Sequence, residues 1–281
     1  MHPHIKFRVA KSKAAEIILI VLAFFVTAPL LFIIYYIFQK GIKVINWNFL
    51  TQLPHPVGEV GGGIVNALVG SGLIVLYASI MAIPIGILCG IYLSEHKSSK
   101  LAYFSRLCVD VLQGVPSIVI GIVVYFWIVK PLHTFSAISG SVALAIMMLP
   151  IIIKSTEETL KLLPASLKEA AIALAIPYHR VITKVLLPCG ISGILSGIIL
   201  SVARIAGETA PLLFTAFGNP YLNTNMLKPM QSLPLLIFNY ATSPYDEWHD
   251  LAWGAALILL FTVLLLNIIT KLTTRKWNVQ L

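Results

Sequence analysis

The residues in this chain that could do chemistry are few, and two of them lie where charge is costly. In "SVARIAGETAPLL", residues 201–213, Arg204 and Glu208 stand four apart at the end of a long apolar run. A guanidinium presents a planar fork of donors matched to the oxygens of a tetrahedral anion. A carboxylate four residues on is its neighbour on a helix and can hold it in place. The same two residues also read as a structural ion pair, because an arginine inside a membrane needs a partner whatever the protein does. Both readings stand at the level of sequence. On a helix, Gly193, Gly197, Ser201, Arg204 and Glu208 fall within an arc of roughly 80°. The charged pair therefore continues a face of small residues that lets another helix approach closely.

A second group lies between residues 154 and 184. "STEETLKLLPASLKEAAIALAIPYHRVITKVLLP" reads as a helix, a break at Pro164, an amphipathic helix, a break at Ile176–Pro177, and re-entry into the membrane. Ser166 followed three residues on by Glu169 is a capping-box signature. A short helix between breaks and outside the bilayer is either a docking element or an ordinary loop helix.

The remaining candidates carry less. Cys89, Cys108 and Cys189 lie in or at the ends of apolar segments without a CxxC, and read as small apolar side chains. The histidines, including the His2/His4 pair, make no metal set. Asp110 reads as the partner of Arg106 four residues earlier. Gly61 to Gly63 read as a tight turn into the next span rather than an anion cradle, and Gly86 with Gly90 as close helix packing next to a kink at Pro84. No nucleophile with its base, no metal set and no facing carboxylates can be assembled, so the sequence does not read as an enzyme. There is no GxxxxGK[ST] phosphate loop either, so the chain does not read as a phosphate-loop ATPase.

These residues must be positioned by membrane helices. Of 281 residues, 58% are hydrophobic and 11% charged, and the mean hydropathy is +0.90. A soluble domain would carry roughly a quarter charged residues. Apolar stretches long enough to span fall near 17–38, 64–93, 108–129, 138–153, 185–212 and 251–270. This predicts an all-α membrane protein with six transmembrane helices. The first stretch, "IILIVLAFFVTAPLLFIIYYIF", is too long for a signal-peptide core and reads as a retained anchor. The net charge of +9 could point to nucleic acid, but its distribution argues for membrane topology instead. With the N-terminus inside, cytoplasmic segments hold Lys6, Arg8, Lys11, Lys13, Lys97, Lys100, Arg106, Lys154, Lys161, Lys168, Arg180, Lys184, Lys271, Arg275 and Lys276. The other side holds Lys40, Lys43, Lys130 and Lys228. Both termini are therefore expected in the cytoplasm, with lipid rather than nucleic acid around the chain. The proline-rich external segment 218–250 reads as a structured loop with a short surface helix around "SLPLLIFNYA".

"EAAIALAIPYHRVITKVLLP" resembles the EAA loop of ABC importer permeases: Glu-Ala-Ala, three residues, Gly, nine residues, an aliphatic, one residue, Leu-Pro. Glu169, Ala170, Ala171, Val185, Leu187 and Pro188 fall in register. Ala175 departs from the pattern, standing where the family usually has glycine. The turn is then expected at the Ile176–Pro177 step, since a residue before proline is pushed out of the helical region. "GGGIVNALVGSGLIVLYASIMAIPIGILCGIYLSEH", "DVLQGVPSIVIGIVVYF", "SGILSGIILSVARIAGETAPLLFTAFG" and "MQSLPLLIFNYATSPYDEW" are similar to the phosphate-specific permeases. The last two are more similar to their A-type (PstA-type) than to their C-type members.

The resemblance implies a type I ABC importer permease fold and import of inorganic phosphate. It implies a second permease subunit (PstC-like), a dimer of ATPase subunits (PstB-like) that uses ATP and Mg and docks on the EAA loops, and an external phosphate-binding protein (PstS-like). The chain itself would bind no cofactor. The implied division is a tail, first span and external loop over 1–60, a permease core over 61–275 with the coupling loop 154–184, and a tail over 276–281. In that frame Arg204 and Glu208 belong to the substrate pathway, and Glu169, Ala170, Ala171, Ala175 and Pro188 to the ATPase-coupling loop. Two other readings remain: a permease of the same architecture for molybdate or sulfate, and an ion-coupled transporter working without an ATPase. The latter calls for inverted repeats or broken helices in corresponding halves, and the sequence displays neither.

Overall fold

Apolar runs of this length fold as helices because in hydrocarbon a helix satisfies its own backbone. The computed structural model describes residues 3–56, 58–59, 61–96 and 98–276, with no strand among them. Lys97, used above to assign sides, and tail residues 277–281 lie outside the described residues. In order come α1 (Pro3–Gly41), α2 (Trp47–Thr51), α3 (Val65–Glu95), α4 (Lys100–Gly114) and α5 (Ser117–Val124). A π-helical turn, Tyr125–Val129, leads into α6 (Lys130–Leu132), followed by α7 (Ala137–Lys161), α8 (Ala165–Ala173) and α9 (Tyr178–Val181). A second π-helical turn, Ile182–Leu186, leads into α10 (Leu187–Ile205), then α11 (Ala210–Leu213), α12 (Leu233–Ala241) and α13 (Asp246–Lys276).

Five helices are long and apolar enough to cross a membrane, and the bent pair α4 and α5 makes a sixth. The expected span 108–129 is thus not straight. It turns by 106° at Val115–Pro116, where the residue before proline is extended (ψ 129°). Prolines also explain both π-helical turns. Each widening comes just before a proline, Pro131 or Pro188, and the last amide ahead of it reaches five residues back, Lys130 to Tyr125 O and Leu187 to Ile182 O. Proline cannot donate the ordinary bond and its ring crowds the carbonyl four back, and the wider turn relieves that crowding.

The most buried span is α7, which shares one core with α3, α5 and α10. It is flanked by two seams of small residues. A Cβ at Gly86 would lie 2.7 Å from Ile152, and one at Gly90 2.5 Å from Thr156, so α3 packs backbone-close on one side. On the other, Gly193 and Gly197 of α10 press against Thr159 and Ser155, and Ser155 Oγ donates to Gly193 O at 3.0 Å. The N-terminal amides of α7 are capped by the segment between α11 and α12: Ser136, Ala137 and Ile138 donate to Thr215 O, Lys228 O and Met226 O at 2.9–3.0 Å. Gly61 and Gly62 take φ of 100° and 91° in the turn before α3, as their sequence implies. The helix expected near 232–241 forms as α12, capped by Ser232, but it is not a surface helix. Leu233, Leu235 and Leu236 are buried, the first and last in a second core with Phe49, Ile64 and Ala255. By contrast, α1 touches the bundle near its end, where Tyr36 meets Trp253 edge-on at 5.1 Å between ring centroids.

Charges at the end of the bundle where α3 closes and α4 begins pair across helices as well as along them. Arg106 does not turn to Asp110; its Nε donates to Glu157 Oε1 at 2.7 Å and its terminal nitrogen to Leu93 O at 2.6 Å. Lys161 shares the same Glu157 oxygen at 2.5 Å, and Asp110 pairs with Lys154 at 2.6 Å. The Glu157 side chain is 8% exposed and that of Asp110 57%. A nearly buried carboxylate needs partners far more than an exposed one, so it takes the arginine.

Candidate functional site

The expected span 185–212 ends short. Arg204 occupies the last turn of α10, where the helix dipole favours a cation. The chain then unwinds through Gly207 and Glu208 before Pro211 opens the short α11. Glu208 therefore lies past the helix end and is not on the arc assigned to it, whereas Gly193 and Gly197 do pack against α7 and Ser201 is buried. Arg204 lines one small cavity together with Leu112, Gln113, Val115 and Ile120 around the bend between α4 and α5, and with Met147, Pro150 and Ile151 in the middle of α7. Two interrupted spans thus meet at one arginine, half-way along the central helix. These breaks are a feature the sequence did not display. In a bilayer, unwound backbone is tolerated only where protein buries it or where it lines a water-filled cavity.

Arg204 Nε stands 3.8 Å from Glu208 Oε1, beyond hydrogen-bond distance, with side chains 51% and 20% exposed. A purely structural pair in hydrocarbon would close to a short bond, ideally bidentate. This geometry leaves the guanidinium fork accessible to an anion while keeping a carboxylate within Coulombic reach.

The segment between α7 and α10 is a built element. Ala171 is buried against Leu160, Val181 and Leu186, while Glu169 and Ala170 face outward with Ile172 48% and Leu174 76% exposed. The turn between α8 and α9 is made by Ala175 itself, with φ of 55°, and not by the Ile176–Pro177 step alone. Ala175 N donates to Ile172 O at 2.9 Å and Ile176 N to Ala171 O at 3.4 Å, the paired bonds of a Schellman motif. Ile176 packs on the Ala171 cluster, completing the motif's apolar contact. The capping box does not form, because α8 starts at Ala165 with Pro164 at the cap, which places Ser166 inside the first turn. Pro188 follows the second π-helical turn at the start of α10.

Arg204 and the loop are not brought together. From Pro188 to Arg204 the helix rises about 24 Å at 1.5 Å per residue. One cluster escaped the sequence altogether: the Glu95 carboxylate accepts hydrogen bonds from Lys168 Nζ and Tyr178 Oη. Burial works against the Lys168 ammonium, but the hydrogen bonds to Glu95 and Tyr178 outweigh it and raise its pKa above the usual lysine value. The partners are 73 and 83 residues apart, so no local spacing announces them.

Residues 82–277 match the family described as binding-protein-dependent transport system inner membrane component. The chain is 42% identical, over 96% of its length and 92% of the relative's, to a phosphate transport system permease protein PstA from Yersinia pestis. It is 44% identical to the protein of that name from Haemophilus influenzae, over 86% of each chain. To a probable phosphate transport system permease protein PstA from Methanocaldococcus jannaschii it is 36% identical, over 93% of this chain and 92% of that one. Among solved structures, the inward-facing MetNI methionine ABC transporter superposes with a TM-score of 0.66 at 17% identity, covering 76% of this chain and 96% of that one. At that identity the likeness concerns fold alone, and the fold is that of type I ABC importer permeases.

Proposed function

Because the chain belongs to the binding-protein-dependent transport system inner membrane component family, we propose that it is the permease subunit of an ATP-driven importer of inorganic phosphate. One observation carries the substrate: about two-fifths identity over nearly the whole chain to phosphate permeases. The chain forms the translocation pathway with a second permease subunit. An external binding protein delivers the anion, and a pair of ATPase subunits uses ATP and Mg on the cytoplasmic side. The uneven distribution of Lys and Arg supports a bacterial inner membrane orientation with both termini in the cytoplasm.

Arg204 contacts the anion in the pathway. Its fork matches a tetrahedral oxyanion, and Glu208, near but not bonded, competes for the guanidinium and keeps the resting site from holding the anion too tightly. The outward face of α8, with Glu169, Ile172 and Leu174, receives the ATPase. Its motion reaches Arg204 along one continuous path, through the Schellman turn at Ala175, α9, the π-helical turn and α10. Such coupling requires an element with two arrangements biased from elsewhere, and the π-helical turn ahead of Pro188 is the natural hinge.

Uptake into proteoliposomes holding this chain with its permease, ATPase and binding-protein partners tests the assignment. Phosphate, sulfate and molybdate are offered with and without internal ATP. ATP-dependent uptake of phosphate is expected. Uptake of another oxyanion in its place overturns the substrate, and flux independent of ATP overturns the mechanism.

A further inference from the structure

Glu95 is the last residue of α3, and its side chain is 10% exposed. Its carboxylate is the acceptor for two donors that belong to the coupling loop, Lys168 of α8 and Tyr178, the first residue of α9. The two donors are themselves joined: Lys168 Nζ lies 3.2 Å from Tyr178 Oη and 5.0 Å from the centre of its ring. Three helices are therefore tied at one nearly buried charge, and α3 is joined to α8 and α9 by long side chains rather than by closely packed backbones. Among the described residues, the other side-chain contacts that hold α8 are apolar, with Ala171 and Leu167 in one cluster with Leu160, Val181, Leu186 and Ile91. Apolar contact is non-directional and allows sliding, whereas charge-assisted hydrogen bonds to one carboxylate fix direction and register. On its far side α3 is seated backbone-close on α7 through Gly86 and Gly90.

We propose that Glu95 is a positioning residue that gives the coupling loop a second output, so that movement of α8 is delivered to the α3–α7 pair as well as to α10. This rests on the reading of α8 as the ATPase-docking helix. The two outputs reach Arg204 from opposite sides, α10 carrying the residue itself and α7 forming the wall beside it. With the first output alone, the loop would move α10 against a stationary wall.

The test uses the assembled transporter in proteoliposomes and reads uptake per ATP hydrolysed, with copurification of the ATPase as the check on assembly. Glu95→Gln keeps the side-chain shape and removes the charge. It is expected to leave assembly and ATP hydrolysis in place and to lower the transport ratio about tenfold, a coupling loss of the usual size for such networks. Exchanging the charges, Glu95→Lys together with Lys168→Glu, is expected to restore much of the ratio that Glu95→Lys alone removes. A wild-type ratio in both Glu95→Gln and Lys168→Met overturns the proposal. So does a loss in Glu95→Lys that the exchange leaves unrepaired, which would make Glu95 a local folding contact. The ratio is read on whichever oxyanion the wild-type transporter imports, so failure of the phosphate assignment shows in the wild type and leaves this comparison intact.

Discussion

Replacing Ala175 with glycine should tighten the turn between α8 and α9, and the size of the effect follows from one dihedral. Ala175 sits at φ of 55°, where a Cβ crowds the following carbonyl. That conformation costs an L-residue about 1–2 kcal/mol, a cost glycine does not have. Glycine loses more backbone freedom on folding, which returns about 0.5–1 kcal/mol to the unfolded side. The net gain is about 0.5–1 kcal/mol, equivalent to a two- to fivefold lower population of the opened turn. Hydrogen–deuterium exchange reports this directly at Leu174, Ala175 and Ile176, whose amides close the turn onto Ala170 O, Ile172 O and Ala171 O. Slower exchange at these amides, by that factor and without change in α13, is the expected outcome. Ala175→Val should move exchange the other way, since β-branching worsens the crowding. Unchanged or faster exchange in Ala175→Gly would refute the assignment of the turn to this residue.

Three further outcomes can be stated. Gly197→Leu drives a side chain into Ser155 and should destabilise the detergent-solubilised chain by about 1–3 kcal/mol, while Gly72→Leu, with open space at its Cβ, should be near neutral by thermal melting. Arg204→Gln should lower uptake by at least about tenfold, the loss of one charge-assisted contact, with ATPase assembly retained; near-normal uptake would remove Arg204 from the pathway. The Lys168 bonds to Glu95 should persist through neutral and mildly alkaline pH. Burial opposes the ammonium but the Glu95 and Tyr178 hydrogen bonds raise its pKa, so its stabilisation is fully present below the ordinary lysine range and is lost only as pH climbs through the raised value. A transport ratio that falls near neutrality in step with loss of these bonds would contradict this.

Hydropathy alone located every span, because apolar runs of bilayer length have few alternatives. It missed the interruptions, since a window long enough to find a span averages over Gln113, Gly114, Pro116 and Ser117, the residues at which the 106° bend occurs. The small-residue faces were legible for the same reason the spans were: Gly193, Gly197, Gly86 and Gly90 recur at helical spacing and pack as that spacing implies. Local rules failed where another residue, near or distant, competed. Arg106 preferred Glu157 to Asp110, and Pro164 started α8 ahead of the Ser166 cap. The pairing of Glu95 with Lys168 and Tyr178 is set by how α3 meets the loop, information that exists only once the chain is folded.

The placement of α7 between two seams also shapes how this sequence can change. Ser155 and Thr159 fill the spaces left by Gly197 and Gly193, and Ile152 and Thr156 those left by Gly86 and Gly90. Neither seam has room for another methyl group, so a single enlargement at one of these positions meets a wall. Drift in this region must proceed by matched pairs, one residue shrinking as its opposite grows. Across a large set of descendants of this chain, the helix should appear conserved site by site yet show linked changes between positions 155 and 197, 159 and 193, and 90 and 156. Its history would then be recorded in correlations, with little trace in the individual columns.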